Sequence, residues 1–501
     1  MGGLEIMDVI SSVVCPVCGC CCDDLEVLVD NNQIIDVRNA CALGAAKLLN
    51  YGGHRNTEPF VRKNGKLVEV SLEEAIERSA EILANASYPL LYGWSSTSCE
   101  AIKVGLEMAE EVGGVIDNTS TICHGPSVIA MQEVGLPACT LGQIRHRADL
   151  IVYWGSNPWS AHPRHIERYT ALAEGRFQRG IWKRYLSRLV FESASKRRYR
   201  VASLLFKAGS TSLPTAERFS QPLPPEEERK LVVVDVQKTR TADLADLFIR
   251  VEPGGDYDVL QALRALIRDE ELDVDDVAGV PIGMLEELAD MMVNARFGII
   301  FFGLGLTMSV GRSRNVEAAI KLTRDLNKYT KFLIMPMRGH FNVTGADTVF
   351  TWQTGYPYAV DFSHGYPRYN PGETSAIDVL MKDDVDAVLV VASDPVSNFP
   401  KKCVENLVKK PLVVIDPHMS ATALVADVVI PSAFVGIEAE GTTYRMDHVP
   451  LPLKKIVEPP EGCLPDEEIL KIMLEKVKDI KRKEIHEIGE RVKTFFTSKH
   501  Y

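Results

Sequence analysis

Apolar residues recur along this chain with two periods, and the switches between them mark its segments. From Leu25 to Val37 hydrophobic and polar positions alternate about a turn at Asp30 to Asn32, which predicts a β-hairpin. Beyond about residue 60 short apolar runs alternate with helical patterns. Ser71-Leu72-Glu73-Glu74 caps a helix through about Ala84, and Leu90 to Gly93 is a short buried strand ending at Ser95-Ser96-Thr97-Ser98. Strand, loop and helix in repeated succession predict a parallel sheet. Gly298 to Gly305 is another strand, ending in a loop with Gly303 and Gly305 where backbone can approach a ligand closely. Lys331 to His340 runs into the polar tip Met337-Arg338-Gly339-His340, and a charged helix is predicted from Pro465 to about Lys493.

Two stretches of this pattern occur twice. Asp149 to Trp154, then Gly155-Ser156-Asn157-Pro158, matches Asp386 to Val391, then Ala392-Ser393-Asp394-Pro395, with Ser160 and Ser397 in register. Leu231 to Asp235 followed by Thr241 and Ala245-Asp246 answers Leu412 to Asp416 followed by Thr422 and Ala426-Asp427. A doubly wound sheet presents its nucleotide site at the carboxyl ends of its strands, where these loops fall. Asp235 and Asp416 can accept hydrogen bonds from a ribose or base edge, and N–H groups of the Ser-Asn-Pro and Ser-Asp-Pro loops can hold phosphate. Thr239 and Thr422 join the same candidate set. Asp149 and Asp235 are 86 positions apart but Asp386 and Asp416 only 30, so the first unit carries 56 extra residues, placed at about 172–228. That insertion is rich in Lys and Arg and ends in Pro222-Leu223-Pro224-Pro225, a pattern expected of a solvated or subunit-docking excursion.

At 501 residues and 46% hydrophobic content the chain has room for several cores, and a net charge of −12 argues against a nucleic-acid-binding surface over the whole molecule. No apolar run approaches the length of a membrane span, and Glu5 and Asp8 stand where a secretory leader would want positive charge; a cytoplasmic protein is expected. Six of eleven cysteines fall within the first 41 residues, which in a reducing compartment suggests metal rather than disulfides. Cys15, Cys18, Cys22 and Cys41 give three thiols on one tight loop and a distant fourth, and the hairpin brings Cys41 back to that loop. This three-plus-one spacing favours a [4Fe-4S] cluster over tetrahedral zinc, with Cys20, Cys21 and Cys22 all open as the third ligand.

Cys123-His124, between the turn-forming Asn118 and Pro126, reads as a metal ligand with an acid/base neighbour, as a nucleophile with its base, or as a buried core pair. The combination of the cysteine cluster, the duplicated doubly wound fold and this lone Cys-His resembles the molybdopterin oxidoreductase superfamily. Within it, the succession Cys-Pro-x-Cys-Gly, Cys-His-Gly-Pro, Gly-Ser-Asn-Pro, Ala-His-Pro-Arg-His and Pro-Met-Arg-Gly-His is similar to the catalytic subunits of formylmethanofuran dehydrogenases. The likeness covers most of residues 10 to 450, apart from the insertion.

That resemblance implies a multidomain α/β fold: an iron–sulfur unit at 1–58 completed by about 430–460; a first pterin-binding unit at 59–140 plus 338–430; a second at 141–337; and a helix and tail at 461–501. It implies a bis(molybdopterin guanine dinucleotide) cofactor carrying tungsten or molybdenum, with Cys123 as protein ligand, His124 assisting proton and charge balance, and Arg338 orienting carbon dioxide or formate. Electrons would enter through one [4Fe-4S] cluster. Where related enzymes have a lysine two residues after the last cluster cysteine this chain has Leu43, and Lys47 is the expected substitute. The C-terminal β-barrel common in the superfamily is expected to be absent here and supplied as a separate subunit. An amidohydrolase-like subunit that condenses formate with methanofuran, and ferredoxin-like subunits that bring electrons, complete the expected partners. A formate dehydrogenase alpha-type subunit and a non-catalytic electron-transfer subunit are the alternatives.

Overall fold

The computed structural model describes residues 8–176 and 228–497, so the expected basic insertion lies, apart from its two ends, outside the described residues. Asp8–Val13, Leu25–Asp30 and Gln33–Arg38 form a three-stranded antiparallel sheet. Asn31 and Asn32 both take left-handed φ, as a tight hairpin turn between right-twisted strands requires. Cys41 then caps the helix Ala42–Leu49, its sulfur accepting from the Gly44 N–H at 3.4 Å.

Two larger sheets follow. One has nine strands, and its parallel centre runs in space Val115–Asn118, Pro89–Gly93, Ala387–Val391, Leu412–Ile415, Val428–Ile430. In chain order that is 2-1-3-4-5. The other has five strands, all parallel, ordered Leu247–Arg250, Lys230–Asp235, Leu150–Trp154, Phe297–Phe302, Lys331–Pro336, which is 3-2-1-4-5. Each order reverses beside its first strand, and there a crevice opens at the carboxyl ends. The central strands are buried on both faces, as in Ala387–Val391 and Leu150–Trp154, so they read as unbroken apolar runs. Each large apolar side chain buried this way contributes about 1.5–3 kcal/mol. One face of the five-stranded sheet shares its core with the N-terminal unit, Tyr153 and Phe301 packing in the same cluster as Val13, Leu25 and Val27. Phe434, Ile437, Met446, Ile456 and Val457 complete that cluster.

Two features depart from the expected segmentation. The helix Asp466–Thr497 is built into the nine-stranded unit rather than trailing from it: Ile469, Leu470, Met473, Leu474 and Val477 are buried among residues of Leu72–Asn85 and Cys99–Val112. Asp466 fixes its start by accepting from Thr97 Oγ1 at 2.6 Å. The second departure concerns Gly125–Val134, which an expected boundary near residue 140 assigns to the first unit. Its Ala130 packs in the core of the five-stranded sheet with Val316 and Ile320 of Ser313–Leu326. The chain therefore passes from the nine-stranded to the five-stranded unit at Cys123-His124. It passes back after Lys331–Pro336, through Met337-Arg338, into the helix Val343–Thr354 whose Ala346, Val349 and Phe350 lie in the first unit's core.

Candidate active site at the chain crossings

Those two crossings are bonded to each other. His124 is fully buried; its Nε2 donates to the Met337 carbonyl at 3.1 Å, which leaves Nδ1 to accept from Ser127 Oγ at 3.1 Å. Burial, reinforced by the Arg338 charge, holds the His124 pKa well below its ordinary value, so the ring is neutral. Thr307 Oγ1, beyond the Phe297–Phe302 strand, donates to the Cys123 carbonyl at 3.2 Å. Burial pushes the Cys123 thiol up to about 11, Arg338 pulling it down and Asp347 pushing it further up, so all three side chains share one electrostatic neighbourhood.

Asn118 and Asp117 shape the turn that delivers Cys123. Asn118 Oδ1 accepts from the Ser120 N–H at 2.8 Å and its amide donates to the Pro357 carbonyl at 3.1 Å. Asp117, buried and pushed up to about 7 by desolvation, accepts from the N–H groups of Asn118, Ala359 and Ala376. Sequence reasoning named Asn118 as turn-forming but missed Asp117, and also Asp347, whose Oδ2 stands 3.4 Å from Arg338 Nη2. Nothing local marks Asp347; it becomes visible only when its helix is packed against the turn.

Arg338 is 3% exposed, and its Nη1 has no hydrogen-bond partner. Its carbonyl accepts from His162 Nε2 at 2.6 Å and from the Gly19 N–H at 3.2 Å. A Cβ on Gly19 would lie 2.7 Å from that carbonyl oxygen, so glycine is needed for the cysteine loop to seat against Arg338. From this loop Cys15, Cys18, Cys20 and Cys22 line one pocket together with Cys41 at the start of the helix, Leu25, Ala40 and Arg164. Cys21 turns away, to the Phe341 carbonyl at 3.2 Å. Arg164 and Arg168 flank the pocket, paired with Asp24 and Asp23. On the helix Ala42–Leu49, Lys47 sits 4.7 Å from the centre of the Phe434 ring. Burial lowers its pKa while the Asp416 charge raises it, which places Lys47 between the cysteine unit and the end of Leu412–Ile415.

The remaining candidates divide between the two crevices. Gly155 and Ser156 face Gly303 and Gly305 at the reversal point of the five-stranded sheet, and Asn157 and Pro158 follow them in the same loop. These glycines serve loop-to-loop contact: Gly303 N–H donates to the Trp154 carbonyl, Gly305 N–H to that of Gly155, and a Cβ on Gly305 would fall 2.6 Å from Gly155 Cα. Ser393 and Asp394 occupy the matching place in the nine-stranded sheet, beside Gly93. Thr422 Oγ1 donates to Asp394 Oδ1 at 2.5 Å, as Thr241 Oγ1 does to Asn157 Oδ1 at 2.7 Å. Asp235 and Asp416 end the neighbouring strands, their Oδ1 atoms accepting from the Gln237 and His418 N–H groups. Thr239 starts the following turn, its hydroxyl accepting from the Ala242 N–H at 3.4 Å.

The family model for molybdopterin oxidoreductases matches residues 226–476. Over 479 residues, 95% of this chain and 100% of the relative, the sequence is 48% identical to a subunit of the tungsten-containing formylmethanofuran dehydrogenase 2 of Methanocaldococcus jannaschii. The corresponding subunit from Methanococcus maripaludis is 43% identical over the same shares. Among solved structures, the formyltransferase/hydrolase complex FhcABCD of Methylorubrum extorquens, in complex with methylofuran, contains a chain that matches with a TM-score of 0.61 at 20% identity, covering 84% of this chain and 99% of that one. Among the described residues no helix is long and apolar enough to cross a membrane.

Proposed function

Because the chain belongs to the molybdopterin oxidoreductases, and within them to the family of these formylmethanofuran dehydrogenase subunits, we propose that Cys123 ligates a tungsten or molybdenum ion held by two molybdopterin guanine dinucleotides, where carbon dioxide is reduced to formate. What carries this reading is the meeting of Cys123 and Arg338 where the chain crosses between the two sheets. Each crevice suits one nucleotide, its Ser-Asn-Pro or Ser-Asp-Pro loop lying where a doubly wound sheet offers backbone N–H groups to phosphate. A thiolate suits a metal already bound by sulfur. When bound, this cofactor supplies a metal centre that exchanges two electrons with the carbon of carbon dioxide or formate.

The chain's own groups do the rest. Arg338 Nη1, buried without a protein partner, presents an N–H to one oxygen of the substrate, a charge-assisted bond that fixes its orientation. His124, neutral and anchored through Nε2, joins the Arg338 strand end to the Cys123 turn; any proton it handles passes through Nδ1 and Ser127. Cys15, Cys18, Cys22 and Cys41 hold one [4Fe-4S] cluster, for which the thiol-lined pocket is suited because each iron takes one sulfur from a different direction. Arg164 and Arg168 offset the negative charge of the thiolates, and Lys47 bridges from the cluster side toward the nucleotide crevice. A separate β-barrel subunit covers the pterins, ferredoxin-like subunits bring electrons, and an amidohydrolase-like subunit condenses formate with methanofuran.

Elemental and nucleotide analysis of the purified complex tests this. Tungsten or molybdenum with about two guanine nucleotides per metal, and formation of a formyl amide, are expected. Free formate as the end product points instead to a formate dehydrogenase, and a complex with neither metal nor guanine nucleotide overturns the catalytic reading.

A further inference from the structure

We propose that Asp347 is a positioning residue that limits how tightly Arg338 holds an anion, so that the pocket accepts neutral carbon dioxide while releasing formate. The inference rests on the reading of Arg338 as the group that meets the substrate. Asp347 is buried, and its carboxylate is fixed on both sides. Oδ1 accepts from Ser120 Oγ at 2.6 Å and from the Asn118 amide at 3.4 Å, while Oδ2 stands 3.4 Å from Arg338 Nη2 with no closer hydrogen-bond partner. Asn118 and Ser120 belong to the turn that delivers Cys123, so one short segment sets both the thiol and the carboxylate.

A guanidinium alone in such a buried place would bind a monovalent anion strongly, because little water screens it. The adjacent carboxylate offsets the charge of the guanidinium. It engages Nη2 and leaves Nη1 aimed at the substrate, so the directional bond persists while the long-range attraction is weakened. Carbon dioxide, uncharged, is indifferent to that weakening. Formate is repelled by Asp347 across the width of the guanidinium, and at an effective dielectric of about 20 this repulsion amounts to about tenfold or more in affinity.

Asp347→Asn separates this role from simple support, because the amide keeps the shape and an acceptor for Ser120 while losing the charge. In the intact metal-loaded complex, calorimetric titration with formate in the absence of an electron acceptor is expected to show about tenfold tighter binding. The KM for formate falls with it, and kcat for carbon dioxide reduction falls as product leaves more slowly. Asp347→Glu retains the charge and is expected to bind formate within about threefold of the wild type. A merely structural role moves the Asn variant the other way, toward weaker formate binding and a raised KM; that result, or unchanged binding at normal metal content, overturns the proposal. Should the Asn variant lose its metal, Ser120→Ala gives the second test. It removes the shorter of the two bonds that hold Oδ1, so that Asp347 turns more of its charge to Arg338, and formate binding is expected to weaken; tighter or unchanged binding refutes the role. Arg338→Gln is the control for the underlying reading: if it leaves formate binding unchanged, Arg338 is not the anion-binding group, whatever Asp347 does.

Discussion

The loop after Leu150–Trp154 and the loop after Ala387–Val391 are built from the same bonds. Thr241 Oγ1 donates to Asn157 Oδ1 and accepts from the Trp159 N–H; Thr422 Oγ1 donates to Asp394 Oδ1 and accepts from the Val396 N–H. One turn further on, Asp246 Oδ2 accepts from the Leu231 N–H and Asp427 Oδ2 from the Leu412 N–H, each at 2.9 Å. Even the backbone agrees, Gly155 and Ala392 both holding left-handed φ near 50°. Yet Cys123, Arg338 and Asp347 have no counterparts in the repeat: Cys123 lies beyond the end of a strand of one sheet, Arg338 beyond the end of a strand of the other. Repeated residues hold the crevices in shape, and the chemistry falls to residues that occur once, where the chain crosses between them.

The sharpest way to break that comparison is to remove the unrepeated thiol. Cys123→Ala is expected to abolish turnover while iron and acid-labile sulfide stay at wild-type levels, because the cysteine pocket draws no side chain from the Cys123 turn. Activity assay with metal analysis of the same preparation checks this. Retained turnover would return Cys123 to the status of a core residue. Concurrent loss of cluster iron would mean that the two sites fold as one.

Gly155→Ala and Ala392→Gly compare the loops themselves. At Gly155 a Cβ would lie 2.7 Å from the Leu306 nitrogen and 2.8 Å from Gly305 Cα, both backbone atoms that cannot swing away. A loss of about 2–3 kcal/mol is expected, read as a lowered unfolding midpoint of the complex. Ala392 already carries a Cβ in the same backbone region, so Ala392→Gly trades a small strain relief against a freer unfolded chain and should fall within about 1 kcal/mol of neutral. Equal effects at the two sites would show that the crevices are packed alike after all.

Much of this was legible in the sequence because its period is strong. The alternating Leu25 to Val37 became a hairpin, Ser71 caps Leu72–Asn85 with its side chain accepting from the Glu74 N–H, and the duplicated strands lie in an all-parallel sheet and in the parallel centre of a mixed one. Less legible was anything that depends on which helix packs where. Gly125–Val134 has weak amphipathic contrast, and only its seating on Ser313–Leu326 shows that Cys123-His124 is a crossing. Gly303 and Gly305 were expected to admit a ligand, whereas their backbone lies against Gly155. Asp347 carried no signal at all, since a lone carboxylate in a helix is ordinary until a buried arginine is found 3.4 Å away.

The smallest effect concerns the one polar difference between the loops, Asn157 against Asp394. Burial pushes the Asp394 carboxyl up, but hydrogen bonds from Ser397 and from the Thr422 hydroxyl and N–H more than offset this and hold it below its ordinary value. A depressed carboxyl contributes stability that is present above its unfolded pKa and is lost as pH falls through the folded one. The nine-stranded crevice should therefore loosen below the ordinary carboxylate range while the Asn157 crevice does not respond. In Asp394→Asn the retained Oδ1 still serves both Thr422 donors, and the new amide donates to the Ser397 hydroxyl as Asn157 Nδ2 donates to Ser160 at 3.2 Å, turning one loop into a copy of the other. Because the carboxyl is partly exposed, solvent screening keeps the acid-dependent part small. Stability measured against pH should flatten slightly in Asp394→Asn and steepen in Asn157→Asp; no change in either would mean that the charge of Asp394 faces solvent rather than its loop.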